Sequence, residues 1–542
     1  MSIESIEKKT VDPTVRQHSF GSYLAGTEIS GSEWVHVPLP RALMDDSFSS
    51  LSLKRRLDTG EIVMDESHAN LIVGRVALAD IAIVERGLEA AHRATKEWRA
   101  VPLGVRIDEF LTILHERFVQ KSEELEYFLG LEGHPRELAR WERTSMLLST
   151  SPESRAYFRD QMWHEIHHND RRNIVRRLPD GVVTLNPPAN APMASVLLAG
   201  LSLAAGNAVV ARAPRSSPLG VMWAVNELLG YALAEVGAPA GCLSAFCGDP
   251  QPMLDAWLAS PYVNDIMYFG SSENGLSFER KCVESQKKPI LELAGNDIVV
   301  VWRDANLDHA ATALLEGFFG SGQLCMIPNQ VVLHPDIADA LIEKLVAKTA
   351  ELYPGYPDED GVLLSPVLRH EKFYKFLEDA VGKGAELIVG GHGIALDGTR
   401  DSAGFFLEPT IIRIDGLADS RRIDAVKYET FFPLLPLVVI ERGDDDDLLA
   451  TIAEFINTNL YGLRNSIWAK DQGVIDYLIA NIVNGGLLVV NASHIAFGVT
   501  VPSHGGTGLT GGVSGEANHP GLRTTHVQGL IVADGDTPPI HR

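Results

Sequence analysis

The sequence predicts an α/β fold of the doubly wound type, with mostly parallel strands and crossover helices. Between residues 182 and 302, short apolar runs alternate with longer segments whose apolar residues recur every three or four positions. This alternation is typical of parallel strands joined by helices. A second alternation begins near Leu307. The chain has 542 residues, too many for one compact core, so more than one such unit is expected.

The elements follow in order along the chain. The first sixty residues show no sustained period, and apolar stripes at helical spacing begin after Asp80. The turn Asn186-Pro187-Pro188, which no helix would tolerate, opens the alternating region. The predicted strands are 182–185, 208–212, 265–269, 290–293, 298–302 and 386–389, and the predicted helices are 195–205, 218–236, 371–381, 446–457 and one from 307 onward.

Composition excludes several classes of function. The chain carries 47 Lys+Arg against 71 Asp+Glu, a formal charge of −24, so phosphate backbones would repel it and no nucleic-acid partner is expected. Four cysteines in so long a chain do not make a disulfide framework. The first ten residues lack the apolar core of a signal peptide, and the least polar stretch, 191–212, is broken by Asn207. We expect a cytoplasmic protein without membrane insertion.

Two short motifs suggest metal sites but have simpler explanations. His164-Glu165-Ile166-His167-His168 matches the spacing of a helical zinc site, yet the residues that follow alternate like an exposed strand and are strongly cationic. Asp444 to Asp447 stand where a helix begins, so their carboxylates are expected to face its positive end. We therefore expect a polar surface strand, an acidic helix start and no metal site.

Cys325 differs from Cys242, Cys247 and Cys282, which have no obvious partners and are interpreted as structural. It ends the segment 318–325, where two glycines loosen the end of an apolar helix. A thiol exposed there, near backbone N–H groups, is expected to have a lowered pKa and a place for an oxyanion. Cys325 is therefore a candidate nucleophile.

Two further residues complete a set suited to acyl transfer. Glu292 is a lone carboxylate at the end of an apolar strand, where desolvation would raise its pKa toward that of a general base. Function explains such a buried carboxylate better than packing does. Asn190 follows a rigid proline turn that could aim its amide. A thiol, a carboxylate and an amide donor are the groups needed for chemistry through a thioester.

With these residues in view, the sequence resembles the aldehyde dehydrogenase superfamily from about residue 80 to 532. LELAGND resembles the family's general-base motif and FFGSGQLC its nucleophile motif, with Glu292 and Cys325 separated by 33 residues (325 − 292). NPPANAP resembles the turn that carries the oxyanion amide, here Asn190. The implied reaction is oxidation of an aldehyde to a carboxylic acid through a thioester on Cys325, with Glu292 activating water.

The resemblance also implies a nicotinamide cofactor. AAGNAVVARAPRSSPLG resembles the segment that holds the adenosine ribose, FGSSENG the turn near the phosphates, and YETFFP the segment that grips the nicotinamide ribose. The implied cofactor residues are Arg212, Arg215, Gly270, Ser271, Gly275, Leu293, Glu429 and Phe431. Arg215 stands where NAD-preferring members often carry Glu, and a guanidinium suits a 2′-phosphate, so NADP is favoured over NAD.

The resemblance implies an architecture of a Rossmann-type nucleotide-binding domain, an α/β catalytic domain and a small β oligomerisation ribbon. The expected boundaries are an N-terminal arm at 1–59, the NAD(P)-binding domain at 60–162 and 182–294, the catalytic domain at 295–496, and the ribbon with the C-terminal segment at 163–181 and 497–542. A homodimer or homotetramer is expected.

Two alternatives stay open at the level of sequence. A relative that passes its thioester to CoA, or runs in reverse as an acyl-thioester reductase, is disfavoured by Glu292, because a base there would hydrolyse the intermediate. A non-catalytic binding or structural protein on the same scaffold is disfavoured by the intact set of Cys325, Glu292 and Asn190. The flanking residues Leu324 and Met326 favour an apolar aldehyde over a charged one.

Overall fold

The structure is a computed structural model that describes residues 17–168, 170–498, 504–533 and 535–536. Two seven-stranded sheets and two three-stranded sheets form the framework of the described residues. Within the described residues, no helix is both long and apolar enough to cross a bilayer. The predicted α/β class is therefore confirmed.

The first sheet contains five parallel central strands whose residues are almost all buried. Its order is Lys288–Glu292, Val263–Phe269, Val182–Asn186, Ala208–Pro214, Leu243–Gly248, Ser22–Leu24 and Thr27–Ile29, the last two antiparallel to their neighbours. A small sheet beside it has the order His18–Phe20, Ile72–Ala77 and Trp34–Pro38. Strands so rich in Val, Ile and Ala bury both faces beneath crossover helices.

The helices of this half are amphipathic or, where they are fully covered, apolar all round. Pro192–Ala205 is of the second kind, because almost every residue in it is buried. The helices are Pro40–Asp45, Ser47–Asp58, Ile81–Trp98, Phe110–Gln120, Ser122–Leu131, Arg136–Ser149, Pro152–Met162, Pro192–Ala205, Leu219–Ala224, Tyr231–Glu235, Pro250–Ala259 and Ser272–Glu284, with π-helical turns at Val105–Glu109 and Val225–Gly230.

The second sheet has six parallel strands and one antiparallel edge strand. Its order is Glu386–Val389, Thr410–Asp415, Leu434–Val439, Pro328–Leu333, Asp297–Val301, Arg464–Trp468 and Leu487–Val490. Its helices are Leu307–Leu314, Ala338–Thr349, His370–Gly382, Leu417–Ser420, Asp424–Lys427, Asp445–Asn457 and Gln472–Asn481, and the 3₁₀ segment Leu315–Gly322 leads to Cys325. The short helix Pro520–Arg523 packs instead on Pro192–Ala205 of the first half.

The other three-stranded sheet, here called the ribbon, joins distant parts of the sequence. Its strands are Trp163–His168, Arg171–Pro179 and Thr525–Ala533, all antiparallel, with Arg171–Pro179 in the centre. The HEIHH segment is therefore an exposed strand, as predicted, and not the helix that its zinc-like spacing would require. No group of three or more potential metal ligands is assembled among the residues that the structure describes.

Residues 17–59 are more regular than the sequence suggests. They form four strands and two helices, and Ser22–Leu24 and Thr27–Ile29 extend the first sheet. Strands of three residues are too short to show a period, which explains why pattern reasoning finds only an arm. The acidic run, by contrast, behaves as predicted: Asp444 accepts the N–H of Asp446 at 3.1 Å and caps the helix Asp445–Asn457.

Candidate active site

A cavity of about 690 Å³ lies between the two large sheets. Asn186, Gly270 and Glu292 enter it from the carboxyl ends of strands in the first sheet, which is where doubly wound folds bind ligands. Cys325 and Phe431 enter it from loops that precede strands of the second sheet. Residues predicted from four separate motifs therefore share one site.

The loop that carries Cys325 is held in an unusual backbone conformation. Gly320, Ser321 and Gly322 all have positive φ, at 58°, 55° and 73°. A non-glycine residue in this region costs about 1–3 kcal/mol and persists where its surroundings fix it. Ser321 is fixed by Ser365, whose carbonyl accepts its hydroxyl at 2.6 Å and whose N–H donates back at 2.9 Å.

Close backbone approach also fixes the loop from two sides. A Cβ atom on Gly322 would lie 2.6 Å from the carbonyl oxygen of Phe432, and a Cβ on Gly295 would collide with the carbonyl oxygen of Cys325. Gly295 follows the strand that ends at Glu292. The glycines thus allow the nucleophile loop to pack directly against the segment that carries the candidate base.

Asn190 reaches the same loop from the proline turn. Its side-chain amide donates to the carbonyl oxygen of Gln323 at 3.0 Å, two residues before Cys325. An amide donor so close to the nucleophile is suited to hold an oxyanion.

Glu292 is buried at the end of its strand, with 8% of its surface exposed. Its Oε2 atom accepts the N–H of Gly505 at 2.6 Å, so this carboxylate has a partner in the protein and is not the unpaired group that the sequence suggests. The same C-terminal segment supports the strand end, because Thr510 accepts the N–H of Leu293 at 3.0 Å and donates its hydroxyl to Ala294 at 2.8 Å.

Four of the residues predicted to hold the cofactor, Arg212, Gly270, Ser271 and Leu293, line the cavity; the side that they form is called the nucleotide side after that prediction. Ser271 caps the helix Ser272–Glu284, accepting the N–H of Asn274 at 3.4 Å, beside Gly270. Gly275 faces the side chain of Leu293 so closely that a Cβ atom would collide with it. Arg212 is buried and donates from Nε to Oδ1 of Asn186 at 2.7 Å.

Glu429 and Phe431 line the opposite wall, near the nucleophile. Oε1 of Glu429 accepts the N–H of Gly295 at 2.9 Å. Burial raises the pKa of Glu429 to about 7. This carboxylate is thus anchored close to Cys325 in the cavity wall.

Comparisons with known proteins agree with this geometry. A family model described as the aldehyde dehydrogenase family matches residues 58–525. Glutarate-semialdehyde dehydrogenase of Pseudomonas putida is 30% identical over 435 residues, 78% of this chain and 85% of that protein. Vanillin dehydrogenase of Pseudomonas fluorescens is 28% identical over 473 residues, 84% of this chain and 92% of that protein.

A solved structure shows a similar fold along most of its length. Glyceraldehyde-3-phosphate dehydrogenase from Methanocaldococcus jannaschii, complexed with NADP, is 25% identical with a TM-score of 0.72, covering 85% of this chain and 97% of that one. The chain belongs to the aldehyde dehydrogenase family. It is accordingly an oxidoreductase that oxidises aldehydes with a nicotinamide cofactor.

One expectation about this dehydrogenase is wrong. The sequence predicts a lowered pKa for the Cys325 thiol, but burial, with the carboxylates of Glu429 and Glu292, raises the pKa to about 12 against the opposing charge of Arg464. The backbone N–H groups predicted around the thiol are outweighed by desolvation and by two negative charges. The free enzyme therefore keeps Cys325 protonated near neutral pH.

Sequence reasoning missed a buried ionic cluster behind the oxyanion amide. Nδ1 of His134 lies 2.9 Å from Oε1 of Glu142, and Nε2 of His134 contacts the carbonyl oxygen of Asn190. Oε2 of Glu132 accepts the N–H of Met193, at the start of the helix that follows Asn190, at 3.4 Å. Glu132 and His134 precede Asn190 by more than fifty residues, so no local pattern links them to it.

This cluster should make stability depend on pH. Burial raises the pKa of Glu132 from 4.5 to about 8, and although burial opposes it, the carboxylates of Glu142 and Glu132 raise the pKa of His134 from 6.5 to about 9. The native state then binds more protons than the unfolded state, so the free energy of unfolding falls as pH rises through this range. His134 contributes stability that is complete below pH 6.5 and lost as pH passes 9.

We predict that Glu132→Gln flattens this decline. The variant removes the extra proton that the native state binds at Glu132 between pH 4.5 and 8 and leaves the one at His134. One such proton changes the free energy of unfolding by about 1.4 kcal/mol per pH unit. The melting temperature, measured from pH 6 to 9, should fall less steeply than in the unmodified protein. Glu123→Gln, on an exposed helix start, is the control and should follow the unmodified curve. Parallel curves for all three proteins would contradict the prediction.

Proposed function

We propose that this chain oxidises an aldehyde to a carboxylic acid through a thioester on Cys325, with water as the acyl acceptor. The observation that carries the proposal is the meeting of Cys325, Glu292 and the Asn190 turn in one cavity. The sulfur, once deprotonated, attacks the aldehyde carbon, and the Asn190 amide with the Cys325 N–H stabilises the resulting oxyanion.

The polar groups that line the cavity fit a nicotinamide dinucleotide. The helix start at Ser271 suits its phosphates, and the carboxylate of Glu429 suits ribose hydroxyls. A nicotinamide dinucleotide held there would supply the acceptor for the hydride that leaves the carbon bonded to Cys325. Arg212 and Phe431 line the same cavity from two sides, which supports their roles in orienting the cofactor.

Glu292 then acts as the general base for hydrolysis. It takes a proton from water, the water oxygen bonds to the thioester carbon, and the carbon–sulfur bond breaks to release the acid and the Cys325 thiolate. A base in this place favours water over CoA as the acceptor, because it would shorten the life of an intermediate that CoA must reach.

The test is an aldehyde panel with NAD or NADP, with and without CoA, followed at the absorbance band of the reduced nicotinamide. Turnover that needs no CoA, with the free acid as product, is the expected result. Turnover only with CoA, with an acyl-CoA product, would contradict the proposal and support the acylating alternative.

For cofactor choice we propose NADP, through Arg215. In the free protein Nη1 of Arg215 pairs with Oδ2 of Asp249 at 2.9 Å, and both groups are exposed. Arg215 does not line the cavity, so it must leave Asp249 to reach a 2′-phosphate. An exposed ion pair of this kind contributes only about 0–1 kcal/mol, so replacing Asp249 by a 2′-phosphate as the partner of Arg215 costs little.

A pair of variants tests this proposal. Arg215→Ala should raise the KM for NADP about tenfold and leave that for NAD nearly unchanged, because only the phosphate loses a partner. Asp249→Asn should lower the KM for NADP by a few fold, because it frees the guanidinium. Equal effects of Arg215→Ala on both cofactors would contradict the assignment.

We also propose that the sequence boundaries describe functional units. The first sheet supports a nucleotide-binding domain at 60–162 and 182–294, and the second sheet supports a catalytic domain at 295–496. The ribbon exposes apolar side chains, among them Ile166, Val175 and Ile531, which supports a homodimer or homotetramer formed through it. Sedimentation measurements would decide the oligomeric state.

A further inference from the structure

One wall of the cavity is apolar and aromatic; we call it the aromatic wall. Trp141 and Met146 from the helix Arg136–Ser149, Leu198 from the helix after Asn190, and Phe497 form it. The rings of Trp141 and Phe497 lie with their centroids 5.4 Å apart, tilted by 50°. Trp141 also packs against the cluster that contains Leu324, the neighbour of Cys325. The aromatic wall therefore extends to the nucleophile.

The lysine and arginine side chains of the cavity belong to other walls. Arg212 is held in the first sheet by Asn186 and by the carbonyl oxygen of Gly248, at 3.2 Å. Arg369 and Lys372 lie at the start of the helix His370–Gly382, and Lys372 lies 6.0 Å from the ring of Phe432, on the side of the cavity that holds Glu429. Arg212 and Lys372 therefore lie outside the aromatic wall, and Arg369 is exposed where its helix begins.

The histidines that line the cavity are neutral. Burial lowers the pKa of His504 to about 3 and that of His519 to about 4. Among the described residues, Glu142 is the only carboxylate that the helix of Trp141 adds to the lining of the cavity, and it is paired with His134.

A cation does lie behind this wall. The Arg464 guanidinium is 5.4 Å from the ring of Phe497 and donates to the carbonyl oxygens of His494 and Ala496 at 2.9 and 3.1 Å. Arg464 is 1% exposed and does not line the cavity. Phe497 therefore lies between the aromatic wall's surface and this charge.

We propose that the site accepts an uncharged aldehyde with an aromatic or alkyl group and rejects an aldehyde that carries a carboxylate at its far end. This inference rests on the proposed function. An apolar substrate body gains by packing on the rings of the aromatic wall. A carboxylate would lose its hydration there and find no cation among the described residues of that wall, which disfavours its binding strongly.

Matched substrate pairs test the inference with the unmodified enzyme. The pairs are benzaldehyde with para-formylbenzoate, and pentanal with glutarate semialdehyde, each assayed for kcat/KM with saturating cofactor. The uncharged member of each pair should be preferred by at least about tenfold. A smaller ratio, or preference for the carboxylated member, overturns the inference and leaves the proposed function intact. No reduction of the nicotinamide with any of the four aldehydes would contradict the proposed function itself.

Two truncations of the aromatic wall separate charge from packing. Phe497→Ala should uncover Arg464, so the ratio of kcat/KM for para-formylbenzoate to that for benzaldehyde should rise about tenfold or more. Trp141→Ala is the matched control: it removes a ring without uncovering a cation, so benzaldehyde should lose affinity and the ratio should change by less than threefold. Equal changes of the ratio in both variants would overturn the assignment of selectivity to the missing cation.

Discussion

Replacing Cys325 by alanine is expected to lower kcat for aldehyde oxidation by at least about 10⁴-fold, because no bond to sulfur can form and the hydride has no activated carbon to leave. Binding of the reduced cofactor, followed by its fluorescence, should change by less than threefold. The measurement is steady-state formation of reduced nicotinamide with a purified variant whose melting temperature is checked.

Cys282→Ala is the matched control for this experiment. Cys282 is buried on the helix Ser272–Glu284 and does not line the cavity. Its variant should keep most of the activity. A Cys325→Ala enzyme with more than about one tenth of the original kcat would show that the thiol is not the nucleophile.

Replacing Glu292 by glutamine is expected to lower steady-state kcat by about 10²–10⁴-fold. Glutamine keeps the shape of the side chain and its acceptor for the Gly505 N–H but has no basicity. The first turnover should persist as a burst of about one reduced nicotinamide per subunit, because hydride transfer precedes hydrolysis. Rapid mixing separates the burst from the slow phase.

Glu316→Gln provides the comparison for a buried carboxylate outside the site. Glu316 is 8% exposed, as Glu292 is, and Oε2 accepts the N–H of Ile495 at 3.2 Å, but it does not line the cavity. A general effect of neutralising a buried acid would slow both variants alike. If Glu292→Gln slows the burst and the steady state equally, Glu292 is not specific to hydrolysis.

The proposed catalytic residues were accessible to sequence reasoning because each lies in a short motif with its own chemical logic. Cys325, Glu292 and Asn190 are separated widely along the chain, yet the alternation of strands and helices already predicts that strand ends meet at one edge. The strands that carry them, such as Val182–Asn186 and Lys288–Glu292, depend mainly on local apolar runs. Local pattern was therefore enough for the framework and for the main site.

The electrostatics of the site were not accessible in the same way. The pKa of Cys325 depends on how closely Glu429 and Glu292 approach it and on how deeply the thiol is buried, which no spacing reports. The partner of Glu292 is Gly505, and the residue that contacts the Asn190 carbonyl is His134. These contacts are set by packing between elements distant in sequence, as are the burial and the two carboxylates that raise the pKa of the thiol.

The same contacts set the balance of charge around Cys325. A thiol whose pKa is raised reacts slowly with oxidants, because the thiolate is the reactive form. Arg464 is the buried cation that already opposes the two carboxylates. The glycines at 295 and 322 keep the nucleophile loop close enough to Glu292 and Glu429 for that balance to matter.

The acyl-enzyme on Cys325 is the central claim, and mass spectrometry of the Glu292→Gln variant tests it most directly. After mixing with NAD or NADP and benzaldehyde, the intact protein should gain the mass of one benzoyl group, located on the peptide that contains Cys325. The adduct should be absent without cofactor. An unmodified protein after a burst of reduced nicotinamide, or an adduct on another residue, would contradict the mechanism.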